Sequence, residues 1–134
     1  MQKILVLLLL MLSTSVMAEW TPVTRTLAFI SYSDKSSKIR SGDMVRIWEM
    51  VDYDFSQPTS SGREYLSKKI QTEYDCTNRR TRFLTLIFYS LNRGYGDVVS
   101  MYDSNSSWTS IFSWASVAPG TTTSELMKFA CRKK

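Results

Sequence analysis

REYLSKKIQTEYDC, residues 63–76, is the stretch that decides the fold. Leu66, Ile70, Tyr74 and Cys76 fall on one side of an extended chain. Ser67, Lys69, Gln71, Glu73 and Asp75 fall on the other. A period of two with one polar side is the pattern of a half-solvated antiparallel strand. Upstream, residues 43–53 (DMVRIWEMVDY) are rich in strand formers and follow a Ser41-Gly42 turn. Val45, Ile47, Val51 and Tyr53 share one face, and Met44, Trp48 and Met50 the other, which predicts a central strand covered on both sides. Downstream, Thr77-Asn78 turns the chain into residues 80–90 (RTRFLTLIFYS). Leu84, Leu86 and Phe88 there oppose Phe83, Ile87 and Tyr89. A glycine-bearing loop at 92–96 leads to a shorter strand at 97–102. Four strands on short loops read as an antiparallel meander.

One element is added at each end. Residues 19–32 predict a strand or hairpin, with Pro22 confining its first part to an edge, and residues 34–39 (DKSSKI) predict a turn or short helix. Pro119-Gly120 closes a loop before Thr122 and Glu125, which have capping-box spacing. Leu126, Phe129 and Ala130 then form an apolar stripe at helical spacing, with basic residues gathered at the helix end. The fold class is α+β: a single antiparallel sheet of four to six strands with a C-terminal helix.

The first residues read as a secretory leader. Lys3 precedes an apolar run over residues 4–12, too short for the ~20 residues that span a bilayer. Val16 and Ala18 occupy the −3 and −1 positions of a small-residue cleavage site, so residues 1–18 are expected to be a signal peptide. Removing those 18 of 134 residues leaves 116, the size of one domain, and takes the formal net charge from +5 to about +4. No later segment is long and apolar enough to be a membrane helix, and no cysteine follows the cleavage site to carry a lipid. An exported protein is expected, periplasmic or at the cell surface, and not a lipoprotein.

Cys76 and Cys131 are the two cysteines, and export into an oxidising compartment makes them a disulfide pair. The bridge would staple the helix to a strand end. With no histidine in the chain and both thiols engaged, a Ser-His-Asp or Cys-His device is excluded and a zinc site is not expected. No phosphate loop or dinucleotide fingerprint is present. No enzyme, cofactor or metal is expected.

Residues along the whole exported part carry a resemblance. Glu19-Trp20, Arg46-Ile47-Trp48, Asp52-Tyr53, Tyr65-Leu66-Ser67, Glu73-Tyr74-Asp75-Cys76, Arg82-Phe83-Leu84 and Phe88-Tyr89-Ser90 occur in order. They are followed by Trp108, by Val117-Ala118-Pro119-Gly120-Thr121 and by the helix from Leu126 to Cys131. Residues 19–134 thus resemble the bacterial surface-adhesin protein E family. The resemblance implies a small antiparallel sheet with a helix, a homodimer, and binding of host matrix proteins such as vitronectin and laminin. The alternative is a periplasmic structural or stress-related module whose partner is another envelope protein. Unlike the founding member, this chain lacks a lipidated cysteine, and its stretch at 108–114 (WTSIFSW) is longer and more aromatic.

Three groups are candidate sites. Trp48, Trp108, Ile111, Phe112 and Trp114 are candidates for a protein contact; those at 108–114 either fold back as a core lid or form an exposed patch for a partner, a second copy included. Lys68, Lys69, Arg79, Arg80 and Arg82 are a candidate basic patch, although Glu64, Glu73 and Asp75 interleave with them. A protein partner is expected, and no nucleic acid. Asp52 and Asp54 stand at i and i+2, where a solvated strand end accounts for them better than acid–base chemistry or calcium.

Overall fold

The computed structural model describes residues 17–104 and 112–133. The expected leader, apart from Met17 and Ala18, and the candidate contact residues Trp108 and Ile111 lie outside them.

Six strands follow one another in space as they do in sequence: β1 (Trp20–Arg25), β2 (Phe29–Ser41), β3 (Met44–Pro58), β4 (Glu64–Asp75), β5 (Arg80–Tyr89) and β6 (Val98–Asp103). All neighbours are antiparallel, as hairpin connections require. A two-residue strand β7 (Ala115–Ser116) pairs with the start of β5, on the same edge that β6 pairs further along. Helix α1 (Thr122–Cys131) closes the chain, and a disulfide joins its last residue, Cys131, to Cys76 just beyond β4. The expected single antiparallel sheet with a disulfide-linked C-terminal helix is the architecture found.

The core lies between α1 and one half of one sheet face. Val45 and Ile47 of β3, Tyr74 of β4 and Val117 meet Leu126, Met127 and Ala130 of α1. Met127 takes a buried place that the sequence pattern gave to Phe129, which is only partly covered. The helix also begins one residue early. Thr121, not Thr122, is its N-cap, and its Oγ1 accepts from the Ser124 N–H at 3.1 Å. Glu125 is left to pair with Lys128 at 3.1 Å.

Two strands differ from their sequence reading. Residues 34–39 are neither a free turn nor a helix; they form a bulge inside β2, where pairing with β3 breaks after Asp34 and resumes at Ile39. The turn chemistry is present, but it acts within the strand. Asp34 Oδ1 accepts from the Ser36 N–H at 3.0 Å, the Ser36 hydroxyl at 2.6 Å and the Glu19 N–H at 2.9 Å. The Ser37 hydroxyl donates to the Asp34 carbonyl and accepts from the Trp48 N–H, standing in for a missing ladder bond. Strand β3 also runs past Tyr53 to Pro58, with a pairing shift between Asp52 and Gln57.

The opposite face is partly closed by the β5–β6 connection. Ser67 Oγ donates to the Leu91 carbonyl at 2.6 Å and accepts from the Gly94 N–H at 2.8 Å. Gly94 has φ +75°, and a Cβ there would lie 2.5 Å from Lys69 Cε, so only glycine fits without displacement. Tyr32 and Met50 are buried on this side.

Candidate functional site

The helix covers only part of its sheet face. On the remainder, five strands each contribute one ring to a continuous row: Phe29, Tyr53, Tyr65, Phe88 and Tyr102. Successive centroids are 5.8, 5.7, 4.6 and 6.2 Å apart, tilted or edge-on as aromatic quadrupoles prefer. Each ring is half-buried. The row follows from the register. Phe29 pairs with Tyr53 across β2 and β3, Lys68 with Phe88 across β4 and β5, and Tyr65 joins where the β3–β4 pairing shifts.

Two hollows border the row. One, of about 210 Å³, lies between the rings and the start of α1 and is lined by Phe29, Val51, Tyr53, Ile70, Phe83 and Leu126 among others. The second, also about 210 Å³, lies between Tyr65, Phe88 and Tyr102 and the Pro58–Ser60 segment. Lys68 belongs to the first, its amine 5.8 Å from the Tyr53 ring centre. Burial pushes the Lys68 ammonium below its ordinary value, and burial pushes the Tyr53 phenol up; the Tyr53 and Tyr65 hydroxyls are hydrogen-bonded. Glu49 also lines this hollow, with its carboxyl buried. Its two oxygens accept from Thr72 and Tyr74 hydroxyls, both at 2.7 Å. Burial raises its pKa to about 7 against those two bonds. The surface is apolar, aromatic and sparsely charged, suited to desolvated contact. Among the described residues no cluster of three metal-type ligands occurs.

The residues singled out in the sequence are distributed over both faces. Trp48 stands opposite Asp34 and Gln71, half-buried on the face away from α1. Trp114 is clamped under two guanidinium groups, Arg80 at 4.8 Å and Arg82 at 4.5 Å. Phe112 is half-buried. The five basic residues are not gathered into one patch. Lys68 lies on the helix side, whereas the Lys69 amine is on the other, between Trp20 and Tyr89 at 5.8 and 5.2 Å. Arg79 sits at the β4–β5 turn with φ +52° and reaches the Ser124 hydroxyl at 3.4 Å. Arg80 pairs with Asp75 at 2.7 Å, and Arg82 and Arg46 pair with Glu73 at 2.6 and 2.8 Å. Bonds from Asn78 and Arg80 hold Asp75 down at about 2. Burial would raise Glu73, but bonds from Arg46 and Arg82 outweigh it and hold the carboxyl below its usual range. Asp52 accepts from the Asn92 side chain and the Arg93 N–H, pinning the β5–β6 turn, while Asp54 is exposed.

The aromatic row was not read from the sequence. Each of its rings looks, on its own strand, like one more apolar position. Only the pairing register across five strands brings them together.

The chain is similar to known proteins over nearly all of the described region. The sequence model of the family described as surface-adhesin protein E matches residues 20–132. Among solved structures, protein E from non-typeable Haemophilus influenzae superposes with a TM-score of 0.59 at 17% identity, covering 88% of this chain and 78% of that one. A second Haemophilus influenzae protein E structure gives 0.56 at 17% identity, covering 86% and 92%. No curated protein sequence matches the chain.

Proposed function

Since this chain belongs to the surface-adhesin protein E family, we propose that it is an exported, non-catalytic binding protein whose open aromatic face receives a protein partner. The observation that carries this reading is the row from Phe29 to Tyr102, left uncovered by α1. Monomers rarely leave a continuous apolar strip in water unless it contacts something. Large rings contribute most to association where they are fully desolvated, and Tyr offers a hydroxyl at the wet margin. The leading partner is a host matrix protein such as vitronectin or laminin. The alternative partner is another envelope protein, with this chain as a periplasmic module.

The test is binding to immobilised vitronectin and laminin by the protein and by a Tyr53→Ser, Phe88→Ser variant. Binding that weakens ten-fold or more in the variant supports the reading. Equal binding by both proteins removes the aromatic face from it. If neither matrix protein binds, and protease treatment of intact cells releases no peptide until the outer membrane is opened, the envelope partner takes precedence.

Self-association is a separate proposal, favoured by the face away from α1. Ile39 is 64% exposed there and shares a hollow with Met44 and Arg46, and Trp48 lies on the same side. Sedimentation equilibrium at micromolar concentration tests it. A monomer mass throughout would rule out the dimer; a dimer lost in Trp48→Ser but kept in Tyr53→Ser would place the contact on that face.

A further inference from the structure

Away from both surfaces, the bulge of β2 and the end of α1 enclose a pocket of about 330 Å³ lined by Lys35, Lys38, Arg132, Phe129, Thr21 and Glu19. Arg40 stands beside it. None of these four cations is in an ion pair among the described residues, although Arg46, Arg80, Arg82 and Lys128 all are. Nearby carboxylates are few. Glu19 lines the pocket, and Asp34 is buried with its Oδ1 engaged by the Glu19 N–H and by Ser36.

Helix capping accounts for half of the cluster. The Lys38 ammonium donates to the Arg132 carbonyl, and the Arg40 guanidinium donates to the Cys131 carbonyl at 3.1 and 3.3 Å. Those bonds satisfy open carbonyls at the negative end of the helix. They leave the Lys35 and Arg132 side chains without such a role. Arg132 instead lies 5.9 Å from the Phe129 ring centre at the pocket wall. The arrangement is electrostatically unfavourable as it stands. Burial lowers the Lys38 ammonium's pKa, and repulsion from Arg40, Arg132 and Lys35 lowers it further. A bound anion would relieve this repulsion, and the capped carbonyls no longer oppose one.

We infer that this pocket binds a phosphate group, with Lys35 and Arg132 as its principal contacts and Lys38 and Arg40 as supporting charges. Phosphate suits the site better than a carboxylate. It brings up to two charges and tetrahedral acceptors to donors that converge from a strand bulge and a helix end. The volume leaves room for the ester substituent, against Phe129. The phosphate could belong to a soluble phosphoester or to a lipid headgroup. The inference is independent of the aromatic face.

The test uses the whole exported chain and a Lys35→Ala, Arg132→Ala variant. That variant keeps both capping bonds, because Arg132 accepts through its backbone. Inorganic phosphate is titrated against amide chemical shifts, with chloride at matched ionic strength as control. Flotation with phosphatidylcholine vesicles, with and without phosphatidic acid, forms the second arm. Saturable shifts at Lys35, Lys38 and Arg132, weakened ten-fold or more in the variant, are expected. Co-flotation only with phosphatidic acid would assign a lipid headgroup; phosphate binding without flotation would assign a soluble phosphoester. Equal shifts with chloride, no saturation in either arm, or undiminished binding by the variant would overturn the proposal.

Discussion

At the scale of single residues, Glu49 makes the sharpest prediction. Folded, its carboxyl keeps a proton to about pH 7; the ordinary value is 4.5. Between those values the folded state binds more protons than the unfolded one, so stability falls as pH rises through that window. The loss is roughly 3 kcal/mol, at 1.36 kcal/mol per pKa unit. Asp75 and Glu73 act in the opposite sense, since their carboxyls are held below the usual range; the stability they contribute is lost only as pH falls, through about 2 for Asp75. The windows therefore separate. Urea denaturation between pH 5 and 8 should show the decline in the parent chain and a nearly flat profile in Glu49→Gln. An unchanged slope in that variant would dissociate Glu49 from the effect. Nothing in the sequence marks this residue, because a glutamate at one position of a mixed strand looks solvated until Thr72 and Tyr74 are brought beside it.

At the scale of elements, alternation and capping residues made most of the fold legible. The strands at β3, β4 and β5 and the helix at the C-terminus were each visible from period and composition. What escaped was chemistry that depends on a neighbour. DKSSKI has the residues of a turn, and only pairing with β3 turns it into a bulge. The helix start shifted because Thr121 and Thr122 offer the same hydroxyl; Thr121 has the extended backbone of a cap, and its hydroxyl donates to the Ala118 carbonyl while accepting from the Ser124 N–H. Thr121→Ala should cost about 1 kcal/mol of stability and Thr122→Ala much less, measured by thermal denaturation. Ser37→Ala removes one group that serves both Asp34 and Trp48. It should cost roughly 1–3 kcal/mol, because the Trp48 N–H is left without its partner. The aromatic row and the cation pocket were invisible for the same reason, being assembled across strands and from residues such as Lys38 and Arg132, 94 positions apart.

At the scale of the whole molecule, a meander needs no long crossover, and each strand contacts mainly its sequence neighbours. The exceptions are β7, which pairs back onto β5, and the helix, which returns from the far end of the chain to pack across β1 to β4. The disulfide fixes that return by closing a loop of 55 positions. The chain-entropy account gives about 4 kcal/mol for a loop of that length. Replacing Cys76 and Cys131 by Ser should lower Tm by about 10 °C or more while leaving the strand signal in far-ultraviolet circular dichroism. A strand signal lost with the bridge would mean that the sheet depends on the helix.

The 2.9 Å contact between the Glu19 nitrogen and Asp34 has a consequence in time. With Ala18 bonded to it, that nitrogen is a neutral amide donor. Cleavage after Ala18 would make it an ammonium facing a buried carboxylate, and charge-assisted bonds of this kind contribute roughly 1.5–3 kcal/mol. Such a cut would then tighten the corner between β1 and the β2 bulge. A chain beginning at Glu19 should denature at higher urea concentration than one extended by a few residues, and Asp34→Asn should erase the difference.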